Sequence, residues 1–284
     1  MVIYNPKDWW KLIFAFHKSD TFRQLLPGIG GVALFTAAVA YIENDYFHAT
    51  FKNTTGIHSL VGFVLSMLLV FRTNSAYDRW WEGRKLWGAL VNNTRSLMLK
   101  IKYIDGDAKL KEEIKKLVID FVWATKEHLR GGVSRKDLSE ICRNQMTEKP
   151  DNVPLFIANM IHAKVSDLLK NSADRNMQIL YLNDDLKSFM DILGGCERIK
   201  KTPIPFSYSL FLKKVIFLYT FTMPIGFVRE FGYWASPIVA LIFYVFAGIE
   251  LLAEEIEDPF GKDANDLPTD TIFKTIKENL SQIF

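Results

Sequence analysis

Cysteine is scarce: 284 residues carry only Cys142 and Cys196. Two thiols cannot build a disulfide framework, and neither belongs to a CxxC pair. They suit a reducing, cytosol-facing setting. Excess charge is missing too, with 35 Lys and Arg against 32 Asp and Glu, a formal net charge of +3. A nucleic-acid binder that works through its field needs a dominant basic face, so that class is excluded. The signatures of common enzymes are absent. His17, His48, His58, His128 and His162 are scattered, with no HExxH and no Cys/His ligand spacing. No GxSxG, Walker A or GxGxxG motif occurs, and Glu127 beside His128 makes a poor catalytic pair because adjacent helical residues diverge. The expectation is a protein that is not an enzyme. There is no strand-like alternation, internal repeat or low-complexity tract, and 49% hydrophobic residues exclude a disordered chain.

What the chain does have is segregation. Mean hydropathy is only +0.05, yet charge-free runs stand apart from polar ones. Leu25–Ile42 has no charge over 18 residues, close to the ~20 that cross ~30 Å of hydrocarbon as a helix. Ile57–Phe71 is shorter and ends at Arg72. Ser209–Val228 is apolar apart from Lys213 and Lys214, and Trp234–Ala253 carries only Glu250. Four runs of this kind predict four transmembrane helices with both termini on one side. Met1–Arg23, with Trp9, Trp10, Phe14 and Phe16 among spread cations, reads as an amphipathic segment, suited to a membrane interface or to a soluble core. The loop Glu43–Gly56 has one Lys and no Arg, whereas Arg72, Arg79, Arg84, Lys85, Lys200 and Lys201 flank the other ends. The positive-inside rule therefore places both termini in the cytosol of a multi-pass protein of the cell (inner) membrane.

Residues 73–205 are polar and helix-rich. Lys109–Leu129 shows apolar residues at helical spacing, ending at Gly131-Gly132. Ser134–Asp137 reads as the start of a short helix, Pro150–Pro154 as a loop, and Asn176–Ile199 as a helix stopped by Pro203-Ile204-Pro205. The expected organisation is all-α. Residues 1–72 hold the amphipathic segment and the first two spans, 73–205 the cytosolic helices, 206–253 the last two spans, and 254–284 an acidic turn with a C-terminal cytosolic helix.

The second span does not stop at its apolar end. Ile57–Lys102 contains no Pro, so one helix of about 65–70 Å is expected. Phe63, Met67 and Phe71 fall at i, i+4 and i+8 along one side of it, beside a small-residue stripe of Ser59, Gly62 and Ser66. Large apolar side chains in such a stripe suit lipid or a core. The following stretch, Phe71–Gly88, sets Asp78–Glu82, Arg79–Glu82, Trp80–Arg84 and Trp81–Lys85 at helix-neighbour spacings, where opposite charges can pair and Trp can stack on a cation along the same helix. Dense aromatics among paired charges suggest a packed junction.

That stretch resembles the signature of the bestrophin family of ion channels. The similarity continues in Gly195-Cys196-Glu197-Arg198-Ile199, in Thr202-Pro203-Ile204-Pro205-Phe206-Ser207-Tyr208, and in Glu254–Gly261 with Asn265-Asp266-Leu267-Pro268. The three motifs stand in order over nearly the whole chain, which is most similar to the shorter prokaryotic members. The resemblance implies a homopentamer in the lipid bilayer whose long helix lines a central pore for small inorganic ions. It puts a hydrophobic neck, the gate, at Phe63, Met67 and Phe71, and a cytosolic aperture at Ile179. Chloride is the family default; some prokaryotic relatives favour monovalent cations such as sodium. A non-conducting membrane scaffold or sensor with a closed neck is the remaining alternative.

Glu254, Glu255, Glu257, Asp258, Asp263, Asp266 and Asp270 crowd into 17 residues. Calcium takes 6–8 oxygen ligands, and such crowding suits it, although the EF-hand spacing is missing. The resemblance implies a calcium clasp at Asp263 and Asp266, with Asp258 beside them. Ala264 and Asn265 stand where the eukaryotic channels have two further acidic residues. A solvated acidic turn is the other reading.

Overall fold

The computed structural model describes Trp10 and residues 20–47, 55–148 and 150–284. Most of the amphipathic segment Met1–Arg23 and residues 48–54 of the loop Glu43–Gly56 lie outside the described residues. Among the described residues every regular element is a helix. The longest is decided by composition. From Thr55 to Tyr103 no Pro occurs, and the four glycines are isolated, so nothing interrupts the i→i−4 ladder. These 49 residues form one helix, α2, about 73 Å long.

The chain divides into two compact units, and α2 contributes to both. The first comprises Arg79–Thr202 and Asp258–Phe284. It contains α3 (Ala108–Leu129), α4 (Glu140–Gln145), α5 (Val153–Leu168), α6 (Arg175–Lys201) and α10 (Thr269–Ile283). Asp107 caps α3 by accepting the Lys109 N–H at 2.9 Å. Gly131, at φ 111°, ends it in a conformation that L side chains rarely adopt. Trp87, Ile101, Leu117, Phe121, Phe189 and Leu193 form the buried core, with the Phe121 and Phe189 rings 5.0 Å apart. Two local expectations are corrected here. Ser134–Asp137 yields a single 3-10 turn, and the short helix starts later, where Ser139 Oγ accepts from Cys142 N. The stretch Pro150–Pro154 is not all loop: Asn152 caps α5, and Pro154 sits in its first turn, where a missing N–H costs nothing.

The second unit comprises the described parts of Val2–Asp78 together with Pro203–Glu257. It contains α1 (Asp20–Tyr41), which continues as a π-helical turn at Ile42–Phe47, and the start of α2. It also holds α7 (Phe206–Thr222), α8 (Pro224–Phe231) and α9 (Ala235–Glu257), with a 3-10 turn at Gly232–Trp234. Helices α1 and α9 lie side by side. Gly28 permits the approach, because a Cβ there would meet the Phe243 ring at 2.9 Å, and Ser236 Oγ donates to Ala33 O at 2.8 Å. Leu65, Leu69, Leu212, Ile216, Tyr219, Met223 and Val239 fill the interior.

This unit is apolar outside as well as inside: Leu34, Phe217 and Leu241 are all exposed. Among the described residues three stretches are long and apolar enough to cross a membrane: Thr21–Asp45, Thr55–Tyr103 and Phe206–Glu257. The third and fourth runs read from the sequence both fall in the last of these, 52 residues interrupted at Met223 and Gly232–Trp234.

Candidate functional site

On α2 the two sides of one helix are treated oppositely. Phe63, Met67 and Phe71 are 69%, 51% and 53% exposed, while Leu65, Leu69 and Arg72 are each 1% exposed. The stripe therefore faces away from its own chain, which removes the reading of it as core packing. Leu60, Val64 and Val70 widen the same uncovered face. The buried side is set by close packing. Gly62 lies against Tyr219, whose hydroxyl oxygen would be 2.5 Å from an added Cβ. Ser66 returns its hydroxyl to Gly62 O at 2.8 Å, which lets a polar side chain sit in an apolar helix without an outside partner.

Parts of all three sequence motifs, from Arg79 onward, from Gly195–Thr202 and from Asp258 onward, meet in the unit of Arg79–Thr202 and Asp258–Phe284. Arg79 reaches the carbonyls of Ile199 and Thr202 at 2.5 Å each, Glu82 pairs with Arg198, and Lys200 pairs with Asp258. Trp80 Nε1 donates to Asn265 O at 3.0 Å. Arg79 and Glu82 are thus used for other elements, where the sequence suggested that they pair on the same helix. Glycines let the motifs close up. A Cβ at Gly83 would come within 3.1 Å of Phe260, and one at Gly195 within 2.8 Å of Leu86. Burial pushes the Cys196 thiol between these elements up to about 12, with Glu82 and Glu197 adding to the effect. His128, a poor partner for adjacent Glu127, instead meets Glu197 at 2.9 Å, and Asn152 donates to the same oxygen.

Ile179 lies in the first turns of α6, partly exposed among more exposed Met177, Leu180 and Tyr181. Lys100 holds this end of the helix by donating to Tyr181 O at 2.9 Å and pairing with Asp185 at 2.7 Å.

The acidic turn after α9 closes on itself. Leu267 N donates to Pro259 O at 2.9 Å, Asp263 N to Asp266 Oδ2 at 2.6 Å, and Asp266 N to Asp263 O at 3.1 Å. Asp266 is buried, and burial pushes its carboxyl up to about 6. Its second oxygen has no partner. Asp258 is spent on Lys200, Asp270 on Lys126 and Arg130, and the carbonyl of Asn265 on Trp80. Among the described residues no three His, Cys, Asp or Glu side chains are grouped to hold a metal ion. A cation that wants 6–8 oxygens does not fit a turn in which Asp258 and Asp270 are paired with cations and Asp266 keeps one unpartnered oxygen.

One arrangement escaped the sequence reading. Arg72, taken as the end of a span, is buried and pairs with Glu257 at 2.6 Å, and Glu257 also accepts the Ile204 N–H at 2.5 Å. Its only signal in the sequence was a lone cation directly after an apolar run.

Comparison with known proteins gives the family and the fold. The family model for bacterial and fungal bestrophin proteins matches residues 1–282. A voltage-dependent anion channel-forming protein of Nostoc sp. is 40% identical, over 78% of this chain and 74% of its own. One from Escherichia coli K12, also named a voltage-dependent anion channel-forming protein, is 32% identical over 100% of this chain and 94% of its own. The crystal structure of a bacterial bestrophin homologue from Klebsiella pneumoniae superposes with a TM-score of 0.84 at 26% identity, covering 91% of this chain and 98% of that one. The chain belongs to the bestrophin family and is a membrane protein.

Proposed function

We propose that the protein is an anion channel, conducting chloride passively through a hydrophobic neck, and that it does no covalent chemistry. The observation that carries this reading is the uncovered stripe of Phe63, Met67 and Phe71 on an unbroken helix whose other side is buried. An apolar face of that size, straight enough to stack three side chains at one-turn spacing, suits a ring of identical copies. Five are expected from the family. A ring of apolar side chains excludes water until it widens, so it gates by dewetting and carries no charge with which to choose between ions.

Ion choice then belongs to groups flanking the neck. Helix α7 begins after Pro205 with no side-chain cap, so its first N–H groups keep their partial positive charge. That supports anions, as do the names of the relatives. In this reading α1 and the apolar part of α2 are the first two passes, and Phe206–Glu257 supplies the third and fourth. Residues 73–205 and 254–284 then lie in the cytosol of a cell (inner) membrane protein, with Ile179 at a second narrowing of the path.

The test is purified protein in planar bilayers. Phe63→Ala, Met67→Ala and Phe71→Ala together should raise single-channel conductance; unchanged currents refute the neck. In a tenfold NaCl gradient the current should reverse near the chloride potential, about 59 mV from zero. Reversal near the sodium potential, of opposite sign, refutes anion selectivity, and a silent bilayer favours a scaffold.

A further inference from the structure

We propose that Arg72, Glu257 and Tyr208 are positioning residues: they grip α2 one turn apart and set the direction in which Phe71 points. The proposal rests on the reading of Phe71 as part of the neck. Tyr208 Oη donates to Leu68 O at 3.2 Å, and the Arg72 guanidinium bonds Glu257 at 2.6 Å. Leu68 and Arg72 are four residues apart and bracket Phe71, so the two contacts act on the turn that carries it. Both come from the far end of the chain. Tyr208 lies in the first turn of α7, and Glu257 is the last residue of α9.

Glu257 does more than neutralise a cation. Its second oxygen accepts the Ile204 N–H at 2.5 Å, inside the Pro203-Ile204-Pro205 break. A Pro-rich break strands backbone donors that must find a partner in apolar surroundings. Here one carboxylate accepts from that donor and from one nitrogen, Nη2, of the buried guanidinium. The break, the end of α9 and the pore-facing turn of α2 are therefore tied through a single side chain. An ion pair of this kind is poor at adding stability but good at fixing register, because each partner is costly to bury alone. Arg72 keeps two buried nitrogens, Nε and Nη1, without partners, so its guanidinium is held from one edge only. A grip on one edge fixes the rotation of α2 while Glu257 is present and releases it when Glu257 moves or is neutralised.

The experiment uses the full-length channel in planar bilayers. Glu257→Gln keeps an acceptor for Ile204 but loses the charge, and Arg72→Gln removes the other half. Each should change open probability at fixed voltage by about fivefold or more, leaving the conductance of the open level as in the wild type. The double variant should match a single one, because the two residues form one grip. Tyr208→Phe buries no new charge, so it stays folded if the others do not, and should shift open probability in the same direction. Open probability within twofold of wild type in Tyr208→Phe and in whichever charge variants assemble overturns the proposal, as do charge variants whose effects multiply in the double. Phe71→Cys separates this proposal from the neck reading. In that background the native thiols are buried, and maleimide modification at position 71 should change rate when Glu257→Gln or Tyr208→Phe is added. An unchanged rate overturns the grip; a changed rate with unchanged currents overturns the neck.

Discussion

Gly62→Ala is the most informative single substitution, because one methyl group meets one atom. The added Cβ would lie 2.5 Å from the Tyr219 hydroxyl oxygen and 3.3 Å from Cζ. Ordinary contact needs roughly 3.5 Å, so the ring or the helix must give way by nearly an ångström. Tyr219 cannot swing aside freely. It is buried with Leu65, Leu69, Leu212 and Ile216, and stacks edge-on against Phe246 at 5.6 Å. Overpacking of this kind costs about 3 kcal/mol at the upper end of its range. Alanine recovers about 1 kcal/mol through its better helix propensity. The net loss of about 2 kcal/mol corresponds to an apparent Tm lower by roughly 4–8 °C. Tyr219→Phe deletes the offending oxygen and leaves the 3.3 Å contact, so the double variant should recover most of the loss. Thermal melts at one scan rate, in one detergent, decide the matter. A Gly62→Ala protein as stable as the wild type, or a double variant no better than Gly62→Ala, refutes the packing argument. Because Gly62 precedes Phe63, the same variant should also alter channel currents.

Two further outcomes follow from the groups around the C-terminal helix. Arg130 above all, with Lys126, holds the Asp270 carboxyl well below the usual carboxylate range. A lowered acid stabilises the folded state above its unfolded value near 4, and that contribution is lost as pH falls through the folded value. Asp270→Asn should lower stability at pH 7 by about 1 kcal/mol, since the Asp270 side chain is 58% exposed although Arg130 is buried; the gap to wild type should narrow as the medium is made more acid. A constant gap from pH 7 to pH 3 refutes the pairing. The acidic turn should ignore calcium. Binding at 100 times Kd would add about 2.7 kcal/mol, so a Tm unmoved by millimolar Ca²⁺ after chelation is expected, and a rise of several degrees would restore the clasp.

Much of this was legible from local pattern. The continuity of α2 followed from the absence of Pro between Ile57 and Lys102, and the shared side of Phe63, Met67 and Phe71 from their i, i+4, i+8 spacing. That this side is uncovered depends on which face the other helices bury, and spacing left it open. The end of α3 at Gly131 was equally visible. The start of α5 was misread because Pro150 and Pro154 look like loop punctuation, whereas Pro154 in a first turn gives up a donor that had no partner anyway. Charge partners were misassigned for a different reason. Glu82 has Arg79 within a turn, yet its partner is Arg198, 116 residues away, because the packing of α6 on α2 brings that cation to Glu82 while Arg79 turns to the carbonyls of Ile199 and Thr202. Spacing along one helix cannot anticipate that.

The order of apolar and polar runs determined by itself that the chain is helical and built to meet a membrane, since hydrocarbon tolerates only segments that satisfy their own backbone. Tertiary structure alone decided which charges are buried and with whom. Arg72 and Glu257 are 185 residues apart, and so are Trp80 and Asn265. A buried cation is stable only where packing delivers its counter-charge, and that delivery depends on every helix between them.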